Sequence, residues 1–243
     1  MKPTITLLLC GLFLLLLTSD LNAQPKYIVN AYFALSIPRA EFGGDGNYIT
    51  DSNYFLEKDY GMSIGFNYFT GEFKYAFDKN GHFRGVAGVS FSAFTNTTKT
   101  TSLGFSEDVV RENIHIFNIF LGAEYALLPK EVISPFIGSN FTANFISGSN
   151  FDAETRFGVE FNVGANVVKS ETFGFLLGMK YSFANLIGKK TNTSDLGRDS
   201  TKLPLNDEEF TYNSRSYDSK GISYLQFYGG VSFFLGQPEK KTK

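Results

Sequence analysis

Tryptophan is absent from this chain, and cysteine and histidine are nearly so, at one and two in 243 residues. One cysteine cannot form a disulfide within the chain. Positive charge is not in excess either: 22 Lys and Arg stand against 24 Asp and Glu, a net charge of -2. A nucleic-acid partner is therefore not expected, because such proteins present a basic face. Long apolar runs are also missing. The only one, Ile5 to Leu17, falls short of the roughly 20 residues that a membrane helix requires.

That run follows Lys2 and is itself followed by Thr18-Ser19-Asp20-Leu21-Asn22-Ala23-Gln24, the order of a secretory signal peptide with cleavage after Ala23. Cys10 is not a lipidation site, since a lipidated Cys closes the apolar run and here the run continues to Leu17. The expected organisation is a cleaved signal peptide over 1–23, one domain over 24–236 and a short polar tail over 237–243. Cleavage removes the single Cys, so the exported domain is held by packing and backbone pairing alone.

What the chain has in quantity is aromatic and small: 27 Phe, 13 Tyr and 24 Gly. These fall into segments in which every second residue is apolar, the period of a strand with two different faces. Eight such strands are predicted: Tyr27 to Ile37, Tyr60 to Thr70, Phe83 to Phe94, Ile114 to Tyr125, Ile133 to Phe145, Phe157 to Val167, Phe173 to Phe183 and Ile222 to Leu235. The clearest puts Phe157, Val159, Phe161, Val163, Ala165 and Val167 on one face and Gly158, Glu160, Asn162, Gly164 and Asn166 on the other. In the second strand, Tyr60, Met62, Ile64, Phe66 and Tyr68 read as the apolar face.

Connections of about 22, 19, 10 and 38 residues alternate with tight turns such as Asp78-Lys79-Asn80-Gly81, as in transmembrane barrels. A soluble sandwich also alternates, but its polar face meets bulk water and carries many Lys and Glu. Gly, Ser and Asn instead suit a narrow lumen. Closure is required because hydrocarbon offers no partner to an open sheet edge. The fold class read from the sequence is therefore all-β: an eight-stranded antiparallel up-and-down transmembrane β-barrel of the outer membrane, with outer-membrane lipid as its surroundings.

Short motifs carry a resemblance. Ala34-Leu35-Ser36-Ile37-Pro38-Arg39-Ala40-Glu41-Phe42-Gly43 resembles the end of the first strand in the small outer-membrane-protein β-barrel domain family, which includes PorT-like members. Ser134-Pro135-Phe136-Ile137-Gly138 and Gly122-Ala123-Glu124-Tyr125 are similar to its mid-barrel segments. The sequence departs from the pattern at Ala40, where the family more often has Gly, and lacks a Gly-rich run after Gly138. The resemblance implies the barrel fold and no single activity, since the family hosts adhesins and secretion components alike.

Few residues offer chemistry. His82 and His115 are expected at opposite membrane faces, roughly 25 Å apart, with no Ser or acid beside either, so no catalytic residue is assigned and no enzyme is expected. Gly43-Gly44-Asp45-Gly46-Asn47, with Asp51 and Asn53, reads as a Gly and Asx turn cluster and not as a calcium loop, so neither metal nor cofactor is assigned. The segment from Lys189 to Lys220 mixes acidic and basic residues and reads as a solvated loop or a partner-binding surface. Two functional classes stay open: a structural or surface-binding barrel whose outer loops meet an envelope or extracellular protein, and a transport or secretion component or narrow channel.

The one site expected inside is an ion pair. A hairpin centred near Ser170 sets Glu160 opposite Lys180 on the inner faces of strands six and seven, and a two-residue shift leaves them on a reachable diagonal.

Overall fold

The computed structural model describes residues 25–44, 60–102, 105–149, 152–191, 205, 207–212 and 214–236, with backbone alone for 97–102, 105–112, 212 and 215. The expected signal peptide, the Gly-Asx cluster beyond Gly44 and the tail 237–243 lie outside these residues. Among the described residues ten strands occur: β1 (Tyr27–Arg39), β2 (Ile64–Ala76), β3 (Phe83–Ser102), β4 (Phe105–Ala126), β5 (Ile133–Gly148), β6 (Glu154–Val168), β7 (Phe173–Ile187), β8 (Phe210–Tyr212), β9 (Arg215–Tyr217) and β10 (Ser223–Leu235). Eight of them close an antiparallel barrel in the order β1-β10-β7-β6-β5-β4-β3-β2, while β8 and β9 form a separate hairpin in the last loop. The closing seam runs from Tyr27 opposite Leu235 to Arg39 opposite Ser223. No sheet edge is left for lipid to meet.

The turns beside the termini are short, and their chemistry is local. Asp78 accepts the backbone N–H of Phe83 at 2.8 Å and of Asn80 at 3.2 Å, while Gly81 takes a φ of 75° that side chains disfavour. At the other end the chain makes longer excursions. β3 and β4 stay paired far past the expected strand ends, out to Ser102 opposite Phe105. The predicted loop over 95–113 is thus a two-stranded arm. Its Thr-rich and β-branched stretch supports strand without the apolar alternation that marks a lipid-facing one.

The outer wall is apolar. Phe33, Phe66, Phe73, Leu121, Phe141, Phe161, Leu177 and Phe227 are among the large hydrophobic side chains exposed around the whole barrel. Monomeric soluble proteins rarely expose apolar patches beyond a few hundred Å², and a continuous belt of this kind is a lipid-facing surface. Near the short turns the belt ends in ring contacts, Tyr27 with Tyr75 at 5.5 Å and Phe83 with Tyr125 at 5.0 Å, as expected where aromatic rings meet headgroups.

Three local features correct the sequence reading. In β2 the register slips between Asn67 and Phe69, so Tyr68 and Phe69 both face outward and the parity reverses. Glu72 and Lys74 therefore point into the lumen, although uninterrupted alternation would have put them in lipid. Tyr60 and Met62, read as outward, precede β2 and are buried in the barrel mouth. In β7 a three-residue bulge, Ala184 to Leu186, stands opposite Gly158 alone.

The mouth is closed by a turn of 3-10 helix, Ala40–Phe42, which directs Phe42 inward. Ala40 adopts a φ of 48°, the left-handed region that favours glycine. This is the position at which the resembling family more often carries Gly, and the backbone supplies the reason.

Candidate functional site

The inward Gly residues are seats for rings and backbone, not voids. A Cβ on Gly65 would meet the Phe94 ring at 2.2 Å, one on Gly88 would meet Phe120 at 2.4 Å, and one on Gly178 would meet the Tyr228 hydroxyl at 2.4 Å. The small residues that suit a narrow lumen admit large inward side chains from neighbouring strands. Phe42, Tyr60, Met62, Phe94 and Tyr224 pack together across the outer end, and Tyr32, Phe136, Leu176 and Tyr228 across the inner half.

Between and around these layers runs a chain of charge. Beside the β2–β3 turn, Arg84 donates to the Gly81 carbonyl at 3.1 Å and pairs with Glu124 at 3.1 Å. Glu124 also holds Lys74 in a short contact, and Lys74 lies 3.2 Å from Glu72 and 4.0 Å from the centre of the Phe136 ring. Glu72 accepts from Asn30 at 2.7 Å and from the Tyr32 hydroxyl at 3.4 Å. Tyr32 then meets Lys180 at 3.5 Å, and Lys180 meets Glu160 at 3.4 Å. Glu160 ends the chain by accepting from Asn118, Asn140 and Ser182. Among the described residues the buried charges below the outer aromatic layer are thus Glu72, Glu124 and Glu160 against Lys74, Arg84 and Lys180. Equal numbers matter here, because a buried charge without a partner is costly whereas a paired and hydrogen-bonded one is nearly offset.

Glu160 does not stand directly opposite Lys180. The β6–β7 hairpin is centred on Glu171 and not on Ser170, so that Glu160 faces Ser182 and Asn162 faces Lys180, which makes the ion pair a diagonal one. Both side chains are buried in the lumen. Glu160→Gln and Lys180→Met are each expected to lower unfolding stability, the second by up to ~3–5 kcal/mol because it leaves a carboxylate unpaired. Glu160→Gln should cost a similar amount, since it leaves the Lys180 cation with the Tyr32 hydroxyl and the Phe120 ring in place of a carboxylate. The double variant should recover part of the loss, with a coupling of ~0.5–3 kcal/mol in urea titrations, and additive losses would show the two groups to act independently.

At the outer rim a second cluster forms. Asp207, from the last loop, accepts from Arg156 Nε and Nη2 at 3.0 and 2.9 Å and from Asn185 at 2.8 Å. Leu205 is buried beside it, and Tyr60 donates to the Leu205 carbonyl at 3.4 Å. Burial, and then the nearby Asp207 carboxylate, push the Tyr60 hydroxyl well above its usual pKa despite the opposing Arg156 charge, so it stays a neutral donor. The segment read as a solvated loop therefore folds back into the mouth over its described part.

The two histidines are not brought together. His82 contacts the Ala126 carbonyl at 2.7 Å beside a short turn, whereas His115 stacks on Phe91, about 36 Å away along β4 at ~3.3 Å per residue. Sequence reasoning missed Glu72, Lys74, Arg84, Arg156 and Asp207 as lumen groups. Arg84 and Arg156 shared the inner parity and were legible in principle, while Glu72 and Lys74 were hidden by the bulge.

The sequence matches no family model and no curated protein. Among solved structures, Neisserial surface protein A is similar with a TM-score of 0.52 and 11% identity over 86% of this chain and 97% of that one. The outer membrane protein OprG from Pseudomonas aeruginosa is similar with a TM-score of 0.49 and 11% identity over 88% and 98%. At such identity the likeness to the first concerns the fold alone. That fold, with the lipid-facing belt, places this chain in the outer membrane.

Proposed function

We propose that this chain is a sealed outer-membrane barrel that works through the loops and the β3–β4 arm on the side away from its termini, as a structural or surface-binding scaffold. The observation that carries this reading is the filled lumen. Two packed aromatic layers and a charge-matched network occupy the space that a solute would have to cross. An eight-stranded barrel has an interior just wide enough for its own side chains, so a permanent pore would need small inward residues left uncovered, and here rings, Asn side chains and backbone cover them. A secretion component of the PorT-like kind would have to use the same outer loops or the wall, because the interior is occupied.

The orientation follows from the termini and short turns sharing one side, the periplasmic one. Epitope tags in the arm near residue 103, or in the first and last loops, are expected to be labelled by antibody on intact cells. Tags at 78–81 or 168–172 should be labelled only after permeabilisation. Labelling of the second group on intact cells would turn the loops toward the periplasm and overturn the surface-binding reading.

A further inference from the structure

The rim cluster around Asp207 has the construction of a ligand site. Four N–H donors converge on one carboxylate: Arg156 Nε and Nη2, the Asn185 side-chain amide, and the backbone N–H of Lys190 at 3.3 Å. All four belong to the barrel wall or its immediate continuation. Asp207 belongs to the loop, and its side chain is wholly buried against them.

The wall groups are held without help from Asp207. Arg156 Nη1 donates to Glu154 at 3.1 Å and to the Thr155 carbonyl at 3.0 Å. Asn185 is brought inward by the β7 bulge and fixed from both ends of its amide. Its Oδ1 accepts from the Ile222 N–H at 2.7 Å, and its Nδ2 also donates to the Lys220 carbonyl at 2.9 Å. Fixed donors around a guanidinium fork suit a planar or tetrahedral oxyanion, since the fork binds carboxylate, sulfate or phosphate through two parallel bonds. Were Asp207 withdrawn, Arg156 would be left at the rim with Glu154 as its remaining acidic partner and the Thr155 and Lys190 carbonyls as acceptors, which favours entry of another anion.

We infer that the Arg156–Asn185–Lys190 cradle is an oxyanion-binding site at the barrel mouth, filled in the resting protein by Asp207 as a tethered pseudo-ligand, and open to a carboxylate, sulfate or phosphate group of an extracellular molecule that displaces the loop. The inference rests on the reading that the outer loops meet external ligands, and it names the chemistry one of them would recognise. The loop competes for the site at high local concentration, so a free anion binds the intact protein weakly and a multivalent ligand binds better.

The test uses the full-length protein in detergent micelles or nanodiscs, titrated with inorganic phosphate and, separately, with acetate by calorimetry. Asp207→Ala should bind phosphate at least tenfold more tightly than the unaltered chain, and Asp207→Ala combined with Arg156→Met should lose that gain. Asp207→Asn supplies the same comparison should the alanine variant fail to assemble. The acetate arm separates a planar from a tetrahedral preference within the site. Phosphate affinity unchanged by Asp207→Ala and Asp207→Asn, or retained without Arg156, would overturn the site. That result would leave the sealed-scaffold reading standing, because that reading is decided by conductance.

Discussion

Lys74→Met is expected to destabilise the barrel by about 3–5 kcal/mol, near the top of the range for a single charge removal. Lys74 is almost fully buried and lies between two carboxylates, Glu72 at 3.2 Å and Glu124 in a short contact. Methionine of similar length fills the space against the Phe136 ring, so the loss isolates charge from packing. What remains is Glu124 with Arg84 as its partner, and Glu72 with only Asn30 and the Tyr32 hydroxyl. Adding Glu72→Gln should restore part of the stability, since the lumen regains equal numbers of the two signs. Lys130→Met, at the exposed β4–β5 turn, should change it by no more than ~0.5 kcal/mol. Urea titration followed by tyrosine fluorescence checks all three, and a Lys74→Met barrel as stable as the parent would show the lumen to be hydrated enough to screen its charges.

Gly158→Val is expected to prevent closure altogether. A Cβ at this position would lie 1.9 Å from the Phe183 carbonyl oxygen and 3.0 Å from Thr142 Oγ1. The first obstacle is backbone on the neighbouring strand, so relief requires β6 and β7 to separate at the bulge that positions Asn185. This goes beyond the ~1–3 kcal/mol of ordinary overpacking, in which side chains can yield. Gly229→Val makes the contrast. There the nearest atom is Leu177 Cδ2 at 3.3 Å, the end of a flexible side chain, and the variant should fold. Refolding into micelles, read by the different gel mobility of folded and heated samples, separates the two. A Gly158→Val chain that folds with full yield would mean that the β6–β7 seam is looser than its register indicates.

The barrel was legible because the two faces differ so consistently. Phe157 to Val167 and Phe173 to Phe183 alternate without interruption, and the β6–β7 turn at 169–172 follows from them. What escaped was set by irregularities that alternation cannot register. The extra residue at Tyr68 and Phe69 reverses the parity of β2 and carries Glu72 and Lys74 inside. The β6–β7 turn centres one residue further on, at Glu171, and so sets Glu160 opposite Ser182. Asp207 was unreadable for another reason: its role depends on a loop returning to the mouth, a contact 51 residues from Arg156 that no local pattern encodes. The Gly residues were visible as lumen-facing, but whether they left space or received rings depended on partners such as Phe120 and Tyr228 in distant segments.

A lipid-facing barrel sealed by its own side chains passes no ions. Single-channel recording of the purified protein in planar lipid bilayers tests it most directly. The baseline is expected to show no discrete open levels, for the unaltered chain and equally for Asp207→Ala, since Phe42, Tyr60, Phe94 and Tyr224 still close the mouth below the loop. A reproducible open channel of defined conductance in the unaltered protein would contradict it.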